Sequence, residues 1–251
     1  MSRIFSSSRL VRQLGAWPFL ALESSRQDFA ERLSLWISPV DAIALHAVQQ
    51  TAAAPTGTWP PEAVTQVDAL RQEVERVRAA LQRSMSVTPE RPTPASGGAG
   101  RLLGAPGEVD ASGEAALLGA RYRQWCGDRQ RDMEARTSAL RAQARRVLAG
   151  LTPRLRQLAL LDAALERALG SREQKLLARL PGLLQRRFQQ WQEAGGQVPP
   201  GAPLSAQSRS GHWEAGFRQE MQALLQAELQ TRLEPVLGLV EAATREVKER
   251  Q

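Results

Sequence analysis

The chain contains few of the residues on which disulfide and metal chemistry depend. Among its 251 residues there is one cysteine, Cys126, and there are two histidines, His46 and His212. A lone cysteine cannot form an internal disulfide, and it is typical of proteins from reducing compartments. A zinc site takes about four N, S or O ligands, which is more than one thiol and two distant imidazoles supply. We therefore predict no metal site, no cofactor and a cytoplasmic location.

Long apolar runs and catalytic motifs are also absent. No stretch of about 18 apolar residues is present, so we expect no transmembrane helix. The segment 14–22, LGAWPFLAL, resembles the apolar part of a signal peptide, but Pro18 interrupts it and no small-x-small pair follows. The sequence has no P-loop, no G-x-G-x-x-G, no H-E-x-x-H and no G-x-S-x-G. We predict no catalytic residue and no enzyme.

The residues that are abundant favour helices. Aromatic residues make up 5% of the chain, asparagine does not occur, and Ala, Leu, Arg, Gln and Glu dominate. These are strong helix formers, and their excess is typical of long helices and coiled coils. No β-branched run with a period of two is present. We predict an all-α helical bundle of long, amphipathic, coiled-coil-like helices with two linkers rich in Pro, Gly and Ser.

The two linkers divide the chain. Residues 1–85 are predicted to form a helical hairpin followed by a coiled-coil-like helix, and residues 86–113 a disordered linker. Residues 114–251 are predicted to form a long-helix bundle. Within that bundle we expect a basic part at 114–194, a flexible segment at 195–211 and a C-terminal helix at 212–250.

The N-terminal part carries two apolar patterns. Ser38 and Pro39 are typical of a helix start, and Ile43, Leu45 and Val48 are predicted to face inward from that helix. A seam with alternating spacings of three and four follows. Its residues are Val67, Leu70, Val74, Val77 and Leu81. The seam spans about two heptads, so an intramolecular bundle and self-association through these residues both remain open.

Four helices are predicted after residue 113. The first runs from 114 to 149 and is ended by Gly150, and the second begins at Thr152-Pro153 and is ended by Gly170. The third covers 171–194 with a kink at Pro181. The last begins near residue 212 and is bent at Pro235.

Positive charge is concentrated in the middle of the chain. The net charge is +7, and residues 114–194 alone hold sixteen basic and eight acidic residues. A basic segment of this kind can meet nucleic acid, anionic lipid or an acidic protein. We take six arginines of the first long helix as candidate partner-binding residues. They are Arg121, Arg129, Arg131, Arg136, Arg141 and Arg145.

Two of these arginines occupy unexpected positions. At about 100° per residue, Arg129 and Arg136 fall in the same stripe as Tyr122, Cys126 and Met133. Such arginines can bury their methylenes and place the guanidinium at the edge of a bundle. They can also form a docking surface for an acidic partner helix. Cys126 itself could be activated by neighbouring cations, but its place in the stripe favours a core role.

These patterns predict a cytoplasmic, non-enzymatic helical scaffold or accessory protein that binds an acidic partner protein. The alternative is a nucleic-acid-binding protein that uses the Arg-rich helix at 114–150. Because the arginines of that helix project in nearly all directions, they do not form the single basic face expected of a duplex-binding helix. Membrane-surface association through residues 1–22 is a third, less favoured alternative.

The N-terminal sequence resembles that of a known family. The pattern F-S-S-S-R-L-V-R-Q-L at 5–14, then S-R-Q-D-F-A-E-R-L at 25–33, Trp36 and D-A-I-A-L at 41–45, is similar to an uncharacterised proteobacterial domain of unknown function. That family is all-helical and about 250 residues long, and it has no assigned activity or site residues. Its genes often lie beside those of MotA/TolQ-like and OmpA-like proteins, which implies an accessory to an envelope complex.

Overall fold

The computed structural model describes residues 8–20, 29–50, 61–87, 89, 111–196 and 210–250. These residues form eight helices and no strand, so the predicted all-α fold is confirmed. The helices are α1 (Arg9–Gly15), α2 (Phe29–Trp36), α3 (Pro39–Gln50), α4 (Ala63–Ser86), α5 (Ala111–Leu151), α6 (Pro153–Leu177), α7 (Leu180–Gly196) and α8 (Ser210–Glu249). Most of the predicted linkers, 88, 90–110 and 197–209, lies outside the described residues.

The two longest helices, α5 and α8, form the centre of the bundle. Helix α5 packs against α4, α6, α7 and α8, while α8 also contacts α1, α4, α6 and α7. Helix α3 lies on the outer side of α6. Buried side chains from α1 and α4 belong to the same hydrophobic core as those from α5 to α8. The helices before and after the predicted linker at 86–113 therefore share one core.

A single buried stripe explains how α5 packs. It consists of Leu118, Tyr122, Cys126, Gln130, Met133, Thr137, Leu140, Ala144 and Leu148, spaced by three or four residues. The prediction that Arg129 and Arg136 lie in this stripe is wrong, since the neighbouring residues Gln130 and Thr137 face the core in their place. Thr137 Oγ1 donates to the carbonyl of Met133 at 2.7 Å, which satisfies its hydroxyl within the helix. A buried arginine would need a carboxylate partner to offset its desolvation.

The predicted seam of α4 is confirmed as an apolar face. Val67, Leu70, Val74 and Leu81 are buried, and Val77 is partly buried against the same core. The helices that cover them are α5 and α8 of the same chain. The structure therefore has the intramolecular bundle, and the seam offers no free surface for the self-association that we considered.

Helix ends differ from the prediction at two glycines. Helix α5 runs through Gly150 to Leu151, and α6 runs through Gly170 to Leu177. The start of α6 is as predicted: Pro153 occupies its first turn, and Thr152 Oγ1 accepts from the amide of Leu155 at 3.2 Å. Neither glycine needs to end a helix, because apolar residues on both sides continue the buried face.

The two prolines also differ in effect from the prediction. Pro181 lies in the first turn of α7, immediately after the turn at 178–179. Proline is tolerated there because its missing N–H is one that a first turn leaves without an intrahelical partner. It therefore separates two helices and does not kink one. Helix α8 continues past Pro235, where a bend was predicted.

The two short helices predicted before residue 51 are present as α2 and α3, and α3 packs on α6. Ser38 Oγ accepts from the amide of Asp41 at 3.1 Å, and Asp41 Oδ2 accepts from the amide of Ser38 at 3.3 Å. This reciprocal cap starts α3 where the sequence predicted. Leu45 and Val48 are half-buried, whereas Ile43 is 70% exposed. The prediction that Ile43 faces inward is therefore wrong, because α3 packs on α6 through its other side.

Two glycines allow aromatic rings to pack directly against helix backbones. A Cβ on Gly216 of α8 would lie 2.9 Å from Cη2 of Trp191, and one on Gly119 of α5 would lie 3.0 Å from Cδ1 of Phe188. Phe188 in turn makes edge contacts with Trp213 and Phe217. Trp191 and Phe188 both belong to α7, so the two glycines determine how closely α7 approaches α8 and α5.

We expect Gly216→Ala to lower the free energy of unfolding by about 1–3 kcal/mol, the usual cost of overpacking a core. Trp191 cannot move away easily, because its Nε1 donates to Glu220 at 2.7 Å. The control is Gly238→Ala in the same helix, where a Cβ would meet nothing within 4 Å. That change should raise stability by about 0.5–1 kcal/mol through helix propensity. Urea denaturation measures both, and equal effects would contradict the close packing.

Candidate cationic surface and buried polar network

Two of the six candidate arginines are used inside the bundle. Arg141 lies 2.6 Å from Asp162 and 3.5 Å from Glu166, both on α6. Arg145 approaches the same two carboxylates at 3.2 and 2.5 Å. Burial alone would lower the pKa of Arg141, but its contacts with Asp162, Glu166 and Glu173 raise it. These arginines join α5 to α6 and are not available to a partner.

A third candidate, Arg129, packs against a neighbouring aromatic ring. Its guanidinium lies over Trp125 at 5.9 Å from the ring centre. No described residue accepts a hydrogen bond from its buried Nε. Tyr122, earlier in the same helix, is buried and meets Phe217 edge-on at 5.2 Å, so it belongs to the core. Arg129 thus lies at the edge of the bundle with its stem covered, which is the first of the two arrangements considered for it.

The remaining three candidates face solvent. Arg121 is exposed, and Arg131 and Arg136 pair with Asp128 and Asp132 of their own helix. Surface pairs one turn apart contribute little to stability, about 0.3–0.5 kcal/mol each. Their arginines therefore remain able to exchange partners at small cost.

Folding brings further cations beside α5 that the sequence analysis did not select. Arg123 Nη1 donates to Gln185 Oε1 of α7 at 3.0 Å. Gln185 is followed on α7 by Arg186, which is exposed. Arg121, Arg123 and Arg131 lie around the exposed sides of α5, since residues two apart on a helix do not face each other. We call these three residues and Arg186 together the cationic surface. Only the antiparallel packing of α5 and α7 reveals it, because Arg186 lies about 60 residues farther along the chain.

Few acidic residues accompany these cations. Residues 121–131 hold four arginines and one aspartate, Asp128, and residues 180–187 of α7 hold two arginines and no acidic residue. The next acidic residues of α5, Asp132 and Glu134, are engaged by Arg136 and Gln174. Of the two arginines of α7, Arg187 turns inward and donates to Glu220 of α8 at 3.0 and 3.1 Å. The surface therefore keeps a local excess of positive charge, in contrast to the neutralised network of Arg141 and Arg145.

A second polar feature lies in the core, where Gln130 connects three helices. Its Nε2 donates to the carbonyl of Leu177 at 3.0 Å and to the carboxylate of Glu228 at 2.9 and 3.1 Å. Leu177 lies four residues before Pro181, which has no N–H to offer that carbonyl. Gln130 thus satisfies an acceptor that the proline leaves without its backbone donor.

Glu228 is fully buried and paired. It has no solvent exposure, and Arg232, one turn later on α8, donates to it at 2.9 Å. Burial raises the pKa of Glu228, although Arg232 and the hydrogen bond from Gln130 lower it in part. Because the folded-state pKa lies above the unfolded value, the contribution of Glu228 to stability is greatest in acid. It declines as the pH rises through that raised pKa.

Cys126 lies in the same part of the core. It is 1% exposed, and burial, with a smaller effect of Glu228, raises the pKa of its thiol to about 12. The thiolate is the reactive form of cysteine. Arg123 and Arg129, which could have activated this thiol, do not lower its pKa. The core role that the sequence favoured for Cys126 is therefore confirmed.

By its fold and these features, the protein is an all-helical bundle with a polar network in its core and an arginine-rich surface. The chain belongs to the DUF3348 family, a family of proteins of unknown function, whose model matches residues 2–245. No curated protein and no solved structure matches the chain. Among the helices described, none combines the length and apolar character needed to cross a membrane.

We expect Glu228 and Arg232 to be strongly coupled in a double-mutant cycle. Removing one partner leaves a buried charge and should cost about 3–5 kcal/mol, whereas replacing both with Leu and Met should cost far less than the sum. The control cycle uses Arg245 and Glu241, an exposed pair on the same helix, where coupling should stay near 0.5 kcal/mol. Urea denaturation gives both energies, and similar coupling in the two cycles would contradict the role of the buried pair.

The Cys126 thiol should not react with iodoacetamide in the native protein. A pKa of about 12 in place of 9.0 lowers the thiolate fraction at neutral pH about a thousandfold, and burial blocks access. Labelling followed by mass spectrometry should show modification only after unfolding in urea. Rapid labelling of the folded chain at pH 7 would disprove the packing of this side chain.

Proposed function

We propose that the protein is a non-enzymatic helical accessory protein that binds an acidic partner protein through its cationic surface. The excess of exposed positive charge on Arg121, Arg123, Arg131 and Arg186 carries this proposal. Charge complementarity across an interface speeds association and selects the partner. Arginine suits this use, because its planar guanidinium binds a carboxylate through two parallel hydrogen bonds.

The internal network supports the same proposal indirectly. Arg141 and Arg145 hold α5 against α6, and Arg123 connects α5 to α7. The cationic surface therefore lies on helices whose relative positions are fixed. A rigid surface loses less conformational entropy when a partner binds. The family resemblance adds candidates for that partner, namely the cytoplasmic segments of MotA/TolQ-like membrane proteins.

The experiment compares the wild-type chain with R121Q/R123Q/R131Q/R186Q. The control is R71Q/R76Q/R78Q/R83Q, which removes four exposed charges from α4. After nuclease treatment, affinity purification from the native organism and quantitative mass spectrometry should identify a partner bound by wild type and control. That partner should have an acidic surface and should bind the first variant about tenfold or more weakly, since each rim charge contributes roughly 0.5 kcal/mol.

Two outcomes would overturn this proposal. The first is a partner that binds the two quadruple variants equally well. The second is salt-dependent binding of mixed-sequence DNA in a fluorescence titration that only the cationic-surface variant loses, which would favour the nucleic-acid alternative. In that case the slope of log K against log salt should fall by about one for each phosphate contact removed.

A further inference from the structure

The junction of α2 and α3 exposes an apolar cluster that the core does not use. Its side chains are exposed by 68% at Leu35, 37% at Trp36, 75% at Val40 and 70% at Ile43. We call these four residues the apolar tip. Helix α3 contributes no fully buried residue to the protein. Clusters of exposed large apolar residues are uncommon on protein surfaces, and they mark sites of interaction.

The two helices that carry the apolar tip are held against α6 at two places. At one end Gln157 Nε2 donates to the carbonyls of Gln49 and Val48, at 3.1 and 3.4 Å. At the other end the guanidinium of Arg172 lies over the ring of Trp36, at 6.0 Å from its centre. The apolar tip therefore projects beside the C-terminal part of α6.

Arg172 contacts the apolar tip, and Lys175 and Arg179 follow it at helical spacings of three and seven residues. Arg172, Lys175 and Arg179 are all exposed, and Leu176 adds a further apolar side chain that is 51% exposed. Glu173 is half-buried and lines a polar cleft with Arg141 and Arg232, away from the tip.

The described acidic residues of α2 and α3 do not offset these cations. The carboxylate of Asp41 is engaged in the cap of α3, where it accepts from Ser38 Oγ at 2.6 Å. Glu31 is exposed at the other end of α2. The border of the tip thus remains positive.

We propose that the apolar tip, with Arg172, Lys175 and Arg179, docks this protein onto an anionic lipid surface. The tip lies at the bend between two helices and projects outward. A partner helix would need a groove to bind in, whereas a projecting apolar tip can insert into the interface of a bilayer. Apolar side chains enter the boundary between headgroups and acyl chains, and Trp36 is of the residue type enriched there. The cations are attracted by the negative surface potential.

This proposal is independent of the cationic surface described above. The two sets share no residue, so either can fail without the other. It also differs from membrane association through residues 1–22, because Leu35 to Ile43 and the end of α6 carry it. A second copy of the chain is the alternative occupant of the tip, and the test separates the two.

The experiment is flotation of the full-length chain with phosphatidylcholine vesicles, with and without phosphatidylglycerol. Wild type should float only with the anionic vesicles and should be released by high salt. The variants L35S/V40S/I43S and R172Q/K175Q/R179Q should each bind about tenfold or more weakly, since each basic residue near an anionic surface contributes about a fivefold effect. The control L117S/L160S, which removes exposed apolar residues elsewhere, should bind like wild type.

Folding and assembly are checked in parallel by circular dichroism and light scattering. All substituted side chains are exposed, so the variants should retain the helical signal of wild type. The proposal is overturned if wild type does not float with anionic vesicles, or if the tip variant floats as well as wild type. It is also overturned if wild type is a dimer that L35S/V40S/I43S converts to a monomer, because the tip would then bind a second copy.

Discussion

The side-chain amide of Gln130 connects three helices of the bundle. From the centre of α5 it donates to the end of α6 at Leu177 and to Glu228 on α8. Each of these acceptors would otherwise cost about 1–3 kcal/mol as an unsatisfied buried group. One residue of α5 therefore fixes the position of the turn between α6 and α7, and also the position of α8 along the bundle. A shift of any of these helices by one residue would break hydrogen bonds that water cannot replace.

Arginine has different roles in different parts of this bundle. Arg232 neutralises a fully buried carboxylate, while Arg141 and Arg145 form half-buried bridges between α5 and α6. Arg121 and Arg131 face solvent. A count of basic residues therefore overstates the positive charge that is exposed to a partner. What distinguishes these roles is whether a carboxylate lies opposite the arginine on another helix.

Much of the fold could be predicted from the sequence because apolar spacing is a local property. It located the α4 seam, the start of α6 at Pro153 and the core positions Tyr122, Cys126 and Met133. It could not choose between Arg129 and Gln130, since the choice depends on Glu228 about 100 residues away. Ile43 was misplaced because both sides of α3 carry apolar residues, and only α6 decides which side is covered.

The candidate site was predictable only in part, for a similar reason. Arg121 and Arg131 were found from the local density of arginine, but Arg123 meets Gln185, the residue before Arg186, only when α5 packs on α7. The close approach of Trp191 to Gly216 leaves no signal in the sequence either, because glycine in a helix has several explanations. Contacts between distant segments determine which of these residues cooperate.

The contacts of α8 have a consequence for the biosynthesis of this protein. Helix α8 touches α1, α4, α5, α6 and α7, and it supplies Glu228 to Gln130 and Glu220 to Arg187. Translation proceeds from the N-terminus, so the apolar faces of α4 and α5 are made long before the helix that covers them. Such faces are prone to aggregation until they are buried. The core is therefore completed only after translation of α8, so the risk of aggregation lasts until the final helix has been made.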